Sequence, residues 1–359
     1  MKQFKRLMLC SVAFLAMAVT GCNNNNNGGG NEGPEKREGP IVFVMSGQSN
    51  MEGQTDVGSN GANLDAAFQT LGITDGAVCK TGIESVQTSY YGNGYGELDR
   101  DNYNRSDVHA SNTTDKIKGA FFPTKIGMGH SDSQMGPELG CAYALKDEAT
   151  ADRPIYLVKM ASSGSGFAQS DNSAIGKNWE VKTADGEVVE HNLFSDFLKP
   201  FLKNNLDLIE EQSGEKPVIK GWLWHQGESD GGEQVKRDAY ARRLADLIDA
   251  FRTEFADYST YEGDEGKSIA FIDGMIYEGS TMLCGEADAI ALNQIKLAAA
   301  DANDKRYIVD AYANEEHTAE NKLTVSGTGS TQGVHYNTKD SFRLGRAYGK
   351  VIIDNNLLD

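Results

Sequence analysis

The chain has little of what builds metal centres and redox pairs. Only five of its 359 residues are cysteine, and past Cys22 only Cys79, Cys141 and Cys284 remain, far apart. No Cys-x-x-Cys pair or run with metal-ligand spacing occurs, and at most one disulfide can form. Neither a metal nor any other cofactor is therefore expected. Cys141, inside Leu139-Gly140-Cys141-Ala142-Tyr143-Ala144-Leu145, reads as a buried helix residue. Positive charge is scarce as well: 34 Lys and Arg face 52 Asp and Glu, for a net charge of −18. Nucleic-acid binding, which needs a basic face, is excluded. An anionic polymer is disfavoured as a substrate, unless a local basic pocket overrides the mean field. No internal repeat is present.

The longest apolar run, Leu7 to Val19, is too short to span a bilayer and follows Lys2, Lys5 and Arg6. With Thr20-Gly21-Cys22 behind it, the segment reads as a lipoprotein signal over residues 1–21, cut before Cys22, which is then acylated. That places the protein in a bacterial cell envelope, lipid-anchored at the periplasmic face or the cell surface. Loss of the segment takes the net charge to −21. Residues 22–40, rich in Asn, Gly and charge, cannot bury enough surface to fold and read as a disordered tether.

Beyond the tether, apolar strand-like runs alternate with helix-period segments. This is the pattern of a parallel sheet covered on both faces, and predicts one three-layer α/β/α doubly wound domain over 41–355. Strands are expected at Ile41–Met45, Ile155–Met160, Val218–Trp224, Ile269–Ile272 and Tyr307–Val309. Helices are expected at Pro137–Lys146, Leu193–Gln212, Gln234–Phe255, Glu286–Asp301 and Lys339–Asp354. The third is marked by Tyr240, Leu244, Leu247, Ile248 and Phe251 at three- and four-residue spacing. Trp222 and Trp224 read as core residues on alternating faces of a strand. Residues 55–129, rich in Asn, Gly, Ser, Asp and Tyr, read as a long polar insertion. Its Tyr90-Tyr91-Gly92-Asn93-Gly94-Tyr95-Gly96 fits turns anchored by Tyr better than a platform for sugar rings.

Chemistry concentrates in four blocks. Gly47-Gln48-Ser49-Asn50-Met51 puts a serine where the first strand gives out into a turn, the place of a nucleophile in an α/β hydrolase. Gly136-Pro137-Glu138 is ordinary helix-start chemistry, with Pro in the first turn and an acid on the dipole. Trp224-His225-Gln226-Gly227-Glu228-Ser229-Asp230 follows a strand. Gly333-Val334-His335-Tyr336-Asn337 precedes the last helix, which brings the chain back over the carboxyl edge of the sheet and makes His335 the best base among six histidines. His225 reads as structural or substrate-side.

These blocks, in this order, resemble the SGNH hydrolase superfamily, in the branch that holds carbohydrate esterase family 6 acetylxylan esterases and sialate O-acetylesterases. The resemblance runs from Val42 to about Tyr348 and skips the insertion. It implies a flavodoxin-like SGNH fold, with Ser49 as nucleophile and His335 as base. The oxyanion hole would come from the N–H groups of Ser49 and of Gly164, in the turn Ala161-Ser162-Ser163-Gly164-Ser165-Gly166, and from the Gln226 amide. Many relatives carry Asp three residues before the base, where this chain has Gln332. Family 6 implies Glu228 as the acid instead, since a neutral amide orients an imidazole but does not stabilise the imidazolium. Glu138, Gln332 and His225 would stand behind these groups.

The implied activity is hydrolysis of O-acetyl esters on a carbohydrate by a Ser–His acyl-enzyme route, on acetylated xylan or a similar glycan, with O-acetylated sialic acid as the alternative. A glycan-binding lipoprotein on a hydrolase-like scaffold is a reading of another class. The survival of Ser49, Gln226, Glu228 and His335 together argues against it. A lipase would need an apolar loop near the site, and the insertion is polar.

Overall fold

The computed structural model describes residues 34–92, 120–168, 178–279, 281, 283–310, 323–325 and 333–359. Its centre is β1 (Ile41–Gly47), whose apolar side chains alternate in the face they present. Val42 and Val44 enter one core and Phe43 and Met45 the other. A strand apolar at every position has to be covered on both sides, because its period of two sends half the side chains each way. On the first face lie α5 (Lys199–Ser213), α7 (Gln234–Glu254) and α8 (Glu286–Ala299). On the second lie α2 (Ala62–Leu71), α4 (Pro137–Leu145) and α9 (Thr338–Asp354).

Seven strands make the sheet. Beside β1 run β6 (Ile155–Ala161) and β7 (Val218–His225), both parallel to it. Outward from β7 lie β8 (Ala270–Gly274) and β9 (Arg306–Val309), and outward from β6 lie β3 (Ile83–Gly92) and β4 (Phe122–Thr124). All neighbours are parallel except the edge strand β4. Two short strands, β2 (Thr55–Asp56) and β5 (Gln134–Met135), pair separately. From β1 the chain goes first to β3 and β6 on one side and then crosses over to β7 and β8 on the other, so the carboxyl end of β1 lies at a switch point where a crevice forms.

The stretch 55–129 is not a polar insertion in its described part. It carries α2, β3 and β4, and Tyr90 and Tyr91 are buried on a sheet strand rather than displayed on turns. The polar residues among its apolar ones masked β3, which belongs to the sheet through its pairing with β6 and β4. Tyr95 lies outside the described residues. The described end of the stretch expected as a tether does not hang free. Residues 34–40 are bound to the body: Arg37 donates to Ser259 O at 3.0 Å and Tyr261 O at 3.3 Å, and Val218 N donates to Pro40 O. The signal segment and Cys22 lie outside the described residues. Trp222 and Trp224 share one face rather than alternating, since residues two apart point the same way. Their rings meet at 5.5 Å, and Trp222 stacks on Phe251 at 4.3 Å.

Close packing seats the last helix. An added Cβ at Gly140 would stand 2.0 Å from Phe342 O, and one at Gly345 would stand 2.1 Å from Pro137 O, so α4 and α9 touch backbone to backbone. Asn337 caps α9 by accepting from Asp340 N, and Asp340 pairs with buried Arg343 at 2.9 Å. His335 hangs just before this fixed end. Among the described residues no helix is long and apolar enough to cross a membrane.

Candidate active site

Three neighbouring strands end at one level. Gly47 is in register with Ala161 of β6 on one side and His225 of β7 on the other. The backbones crowd there: a Cβ on Gly47, at φ +146°, would fall 2.0 Å from His225 O. The chain then turns into α1 (Ser49–Glu52), a single helical turn with Ser49 first. As the opening residue of a helix, Ser49 has no intrahelical acceptor for its N–H. The turn after β6 holds Gly164 at φ +69°, with open space where a side chain would stand, and Ser162 N of that turn donates to Gly47 O. Thus the Ser49 hydroxyl and N–H and the Gly164 turn rise from adjacent strand ends.

Asn50 brings the fourth block to them. Its Nδ2 donates to Val334 O at 3.1 Å and its Oδ1 accepts from Tyr336 N at 3.2 Å, so the residue beside Ser49 grips both peptide neighbours of His335. Thr55 adds a bond from Oγ1 to Tyr336 O at 2.9 Å. His335 is held nearly buried, at 7% exposure. Burial pushes its pKa below the ordinary histidine value, the Glu52 carboxylate opposes that shift, and His130 adds to it. The imidazole is therefore neutral, as a base must be, at neutral pH.

Glu228 does not meet His335 in the way the resemblance implies. It opens α6 (Glu228–Gly231), its Oε1 accepts from Asn50 Nδ2 at 2.6 Å, and the same oxygen lies 3.8 Å from His225 Nε2. Among the described residues its contacts run to Asn50 and His225, and burial raises its pKa. Geometry decides this: the carboxylate faces Asn50, and Asn50 in turn holds the His335 loop.

Gln226 is likewise committed elsewhere than to an oxyanion. Its Nε2 donates to Asp230 Oδ2 at 2.6 Å, with Gln48 Oε1 at 3.4 Å and Ser165 O at 3.3 Å also in range. Two N–H groups facing three acceptors leave none directed at the crevice. Asp230 explains the arrangement, since its carboxylate also accepts from Phe167 N and so pins the turn that carries Gly164 to α6. His225 is fully buried with Nδ1 3.4 Å from the Tyr348 hydroxyl, and burial together with nearby Lys296 holds its pKa well below the usual range. Its ring meets Tyr348, Tyr336 and Glu228. Gln332 lies outside the described residues.

Glu138 combines two functions. Its Oε1 caps its own helix by accepting from Gly136 N at 2.9 Å, and its Oε2 pairs with buried Lys159 at 2.8 Å. Lys159 in turn donates to Glu52 O at 3.0 Å and Met128 O at 2.6 Å, so the pair fixes the far end of α1 from below. Lys159, Asp230, Asn50 and Glu52 were missed as contributors. For Asn50 and Glu52 the signal was their place in the Ser49 block, at one and three residues from the serine. Asp230 closes the block that begins at Trp224, whereas nothing local marks Lys159.

Among the described residues no group of three or more His, Cys, Asp or Glu side chains is arranged to hold a metal ion. A cavity of about 450 Å³ lined by Arg37, Ile41, Glu148, Arg153 and Lys220 opens at the amino ends of β1, β6 and β7, the far side from Ser49.

The family model for carbohydrate esterase, sialic acid-specific acetylesterase, matches residues 40–260, more than half of the chain. This span contains Ser49, Glu138, Gly164, Gln226 and Glu228 and stops short of His335. No curated protein matches the chain. Among solved structures, a protein from Arabidopsis thaliana is similar at 18% identity and a TM-score of 0.50, over 88% of this chain and 98% of its own. NanS is similar at 12% identity and a TM-score of 0.51, over 89% and 98%. A carbohydrate acetylesterase from Xanthomonas citri matches at 14% identity and a TM-score of 0.39, over 74% of this chain and 48% of its own. At such identities the likeness is one of fold, the three-layer α/β/α arrangement described above. From the extent of the family match, the chain belongs to the carbohydrate esterase family of sialic acid-specific acetylesterases, and it is an ester hydrolase.

Proposed function

We propose that the protein removes O-acetyl groups from a sugar by a covalent serine mechanism, with Ser49 as nucleophile and His335 as base. The observation that carries this reading is the Asn50 clamp, which delivers His335 to the turn that starts with Ser49. In the first half-reaction Ser49 Oγ attacks the acetyl carbonyl while His335 takes its proton. The oxyanion is met by the N–H groups of Ser49 and Gly164, preorganised where charge develops. Collapse breaks the ester bond, and the proton on His335 passes to the departing sugar oxygen. Water then attacks the acetyl-serine with His335 again as base, which frees acetate and restores the hydroxyl. Glu228 acts on His335 only through Asn50, and Gln226 holds the Gly164 turn rather than the oxyanion. No step needs a metal, so activity should survive dialysis against EDTA.

The family description favours O-acetylated sialic acid as the sugar over acetylated xylan. The acidic surface is compatible with a carboxylated sugar only if the crevice supplies a local positive field. We further propose that the mature chain is anchored through lipid on Cys22 in a bacterial envelope. The experiment is a panel of 4-nitrophenyl acetate, O-acetyl sialic acid and acetylated xylan offered to the full chain and to Ser49→Ala. Mass spectrometry of the quenched wild type should find an acetyl group on Ser49. Loss of Ser49 should lower turnover by about 10⁴-fold or more with the fold intact. A folded Ser49→Ala protein with near-normal activity would end the assignment.

A further inference from the structure

We propose that Glu52 is a positioning residue that joins the base to the oxyanion turn, and that it supplies the charge for His335 that Gln332 does not. This deepens the Ser49 and His335 reading and rests on it. Glu52 stands three residues after Ser49 in the single turn of α1, so the two side chains leave the same face of the helix. It is almost fully buried, at 1% exposure, and both of its oxygens have partners. Oε2 accepts from the Ser163 hydroxyl, and Ser163 immediately precedes Gly164. Gln54 Nε2 donates to that same hydroxyl, so the oxyanion turn is tied twice to the segment that follows the nucleophile. Oε1 lies 3.0 Å from His130 Nδ1, and His130 N donates to Gly53 O.

The His335 loop is clamped to the same segment from both sides of Glu52. Asn50 grips Val334 and Tyr336, and Thr55 grips Tyr336 again. Glu52 lies in sequence between those two attachments, its carboxylate buried in the segment that holds the base. Its field on His335 is upward, against burial and against His130. The other charges packed here cancel locally, since the Lys159 ammonium beneath Glu52 is paired with Glu138. Glu228 is turned toward Asn50 and His225. The two carboxylates thus divide the work of one triad acid: Glu228 fixes where the loop sits, and Glu52 stabilises the imidazolium that forms on it.

The test is a pH profile of kcat/KM for the full chain, read beside the titration of the His335 ring by NMR, which does not depend on turnover. Glu52→Gln keeps the size and an acceptor for Ser163 but removes the charge. Its acid limb and its His335 titration should both move to lower pH, with kcat reduced about 10²-fold from the lost alignment of the base. His130→Gln should move the limb the other way, to higher pH, and carries the test alone if Glu52→Gln does not fold. Ser163→Ala should reduce kcat with the limb unmoved, because it frees the oxyanion turn and leaves the charge. A folded Glu52→Gln with limb and titration in their wild-type places overturns the proposal, as does an unmoved limb in His130→Gln when it stands alone. A limb that moves in Glu228→Gln instead assigns the charge to Glu228. Failure of the underlying reading looks different: Ser49→Ala stays active and no acetyl-Ser49 forms, whatever Glu52 does.

Discussion

Asn50 Nδ2 and Glu228 Oε1 meet at 2.6 Å in the buried floor of the site, and this bond links the carboxyl ends of β1 and β7 to the loop that carries His335. A charge-assisted bond of that length is strong and directional. It makes Asn50 the joint on which the site turns, since the same amide holds the peptides on both sides of the base.

Replacing Asn50 by Ala should therefore cost more than neutralising Glu228. The variant removes the bonds from Asn50 to Glu228 Oε1, Val334 O and Tyr336 N, at about 1–3 kcal/mol for each buried group left short of a bond. It also frees the His335 loop, with kcat falling about 10²-fold. Glu228→Gln can still accept from Asn50 and should lose less. Denaturant melts and initial rates on 4-nitrophenyl acetate check both. Equal losses would mean that the bond is not what holds the loop.

Acid should weaken the fold through its buried histidines. Folded His225 has a pKa well below its unfolded value of about 6.5, so between the two the unfolded chain binds more protons and stability rises with pH. The contribution is present above about pH 6.5 and is lost as pH falls toward the folded value. His335 acts with the same sign. Asp273 acts with the opposite sign, because burial lifts it to about 6 despite Lys296, and proton uptake below that favours the folded state. Comparing wild type with His225→Gln isolates the histidine: the difference in melting temperature should shift in favour of the variant as pH drops from 7 to 5. No change in that difference would show His225 to be inert.

Gly345→Ala should loosen the last helix. The new Cβ would sit 2.1 Å from Pro137 O and 2.8 Å from Cys141 N, where the backbone has no room to yield. Overpacking of this kind costs about 1–3 kcal/mol. Because α9 anchors the end of the His335 loop, kcat should fall along with the urea midpoint. A variant with the wild-type midpoint would contradict the contact between α4 and α9.

The three thiols past Cys22 should be silent in the folded protein. All are buried, and burial raises Cys79 to about 12 and Cys284 to about 11, with Cys141 higher still. A thiol reagent at pH 8 should label none of them until denaturant is added, and then all three. Rapid labelling of native protein would be the contrary result.

Cys22→Ala should release the protein from membranes. Fractionation of cells and mass spectrometry of the mature amino terminus check this, and an unmodified Cys22 in the mature protein would refute the lipid anchor.

The sequence by itself determined the layers of the fold and marked the blocks from which the site is proposed. A strand apolar on both of its faces has no stable place except between two layers, and this made β1, β6 and β7 readable as Ile41–Met45, Ile155–Met160 and Val218–Trp224 despite Lys159 and Lys220 within them. The start of α4 came from local chemistry, with Pro137 in its first turn, whereas the Asn337 cap of α9 showed only in the structure. Ser49 was legible because a strand exit is a local feature. By contrast, β3 escaped notice, since Ile83–Gly92 has polar residues among its apolar ones and belongs to the sheet only through β6 and β4. The partners of the site escaped for a related reason. Which carboxylate faces which base depends on side-chain direction across elements far apart in the chain: Asn50 and Glu228 are 178 positions apart, and Lys159 reaches Glu52 across 107. Sequence spacing carries no record of such distances. Only the stacking of three strand ends in register decided that Glu228 turns to Asn50, that Gln226 turns to Asp230, and that Glu52 lies beside the turn that faces Ser49.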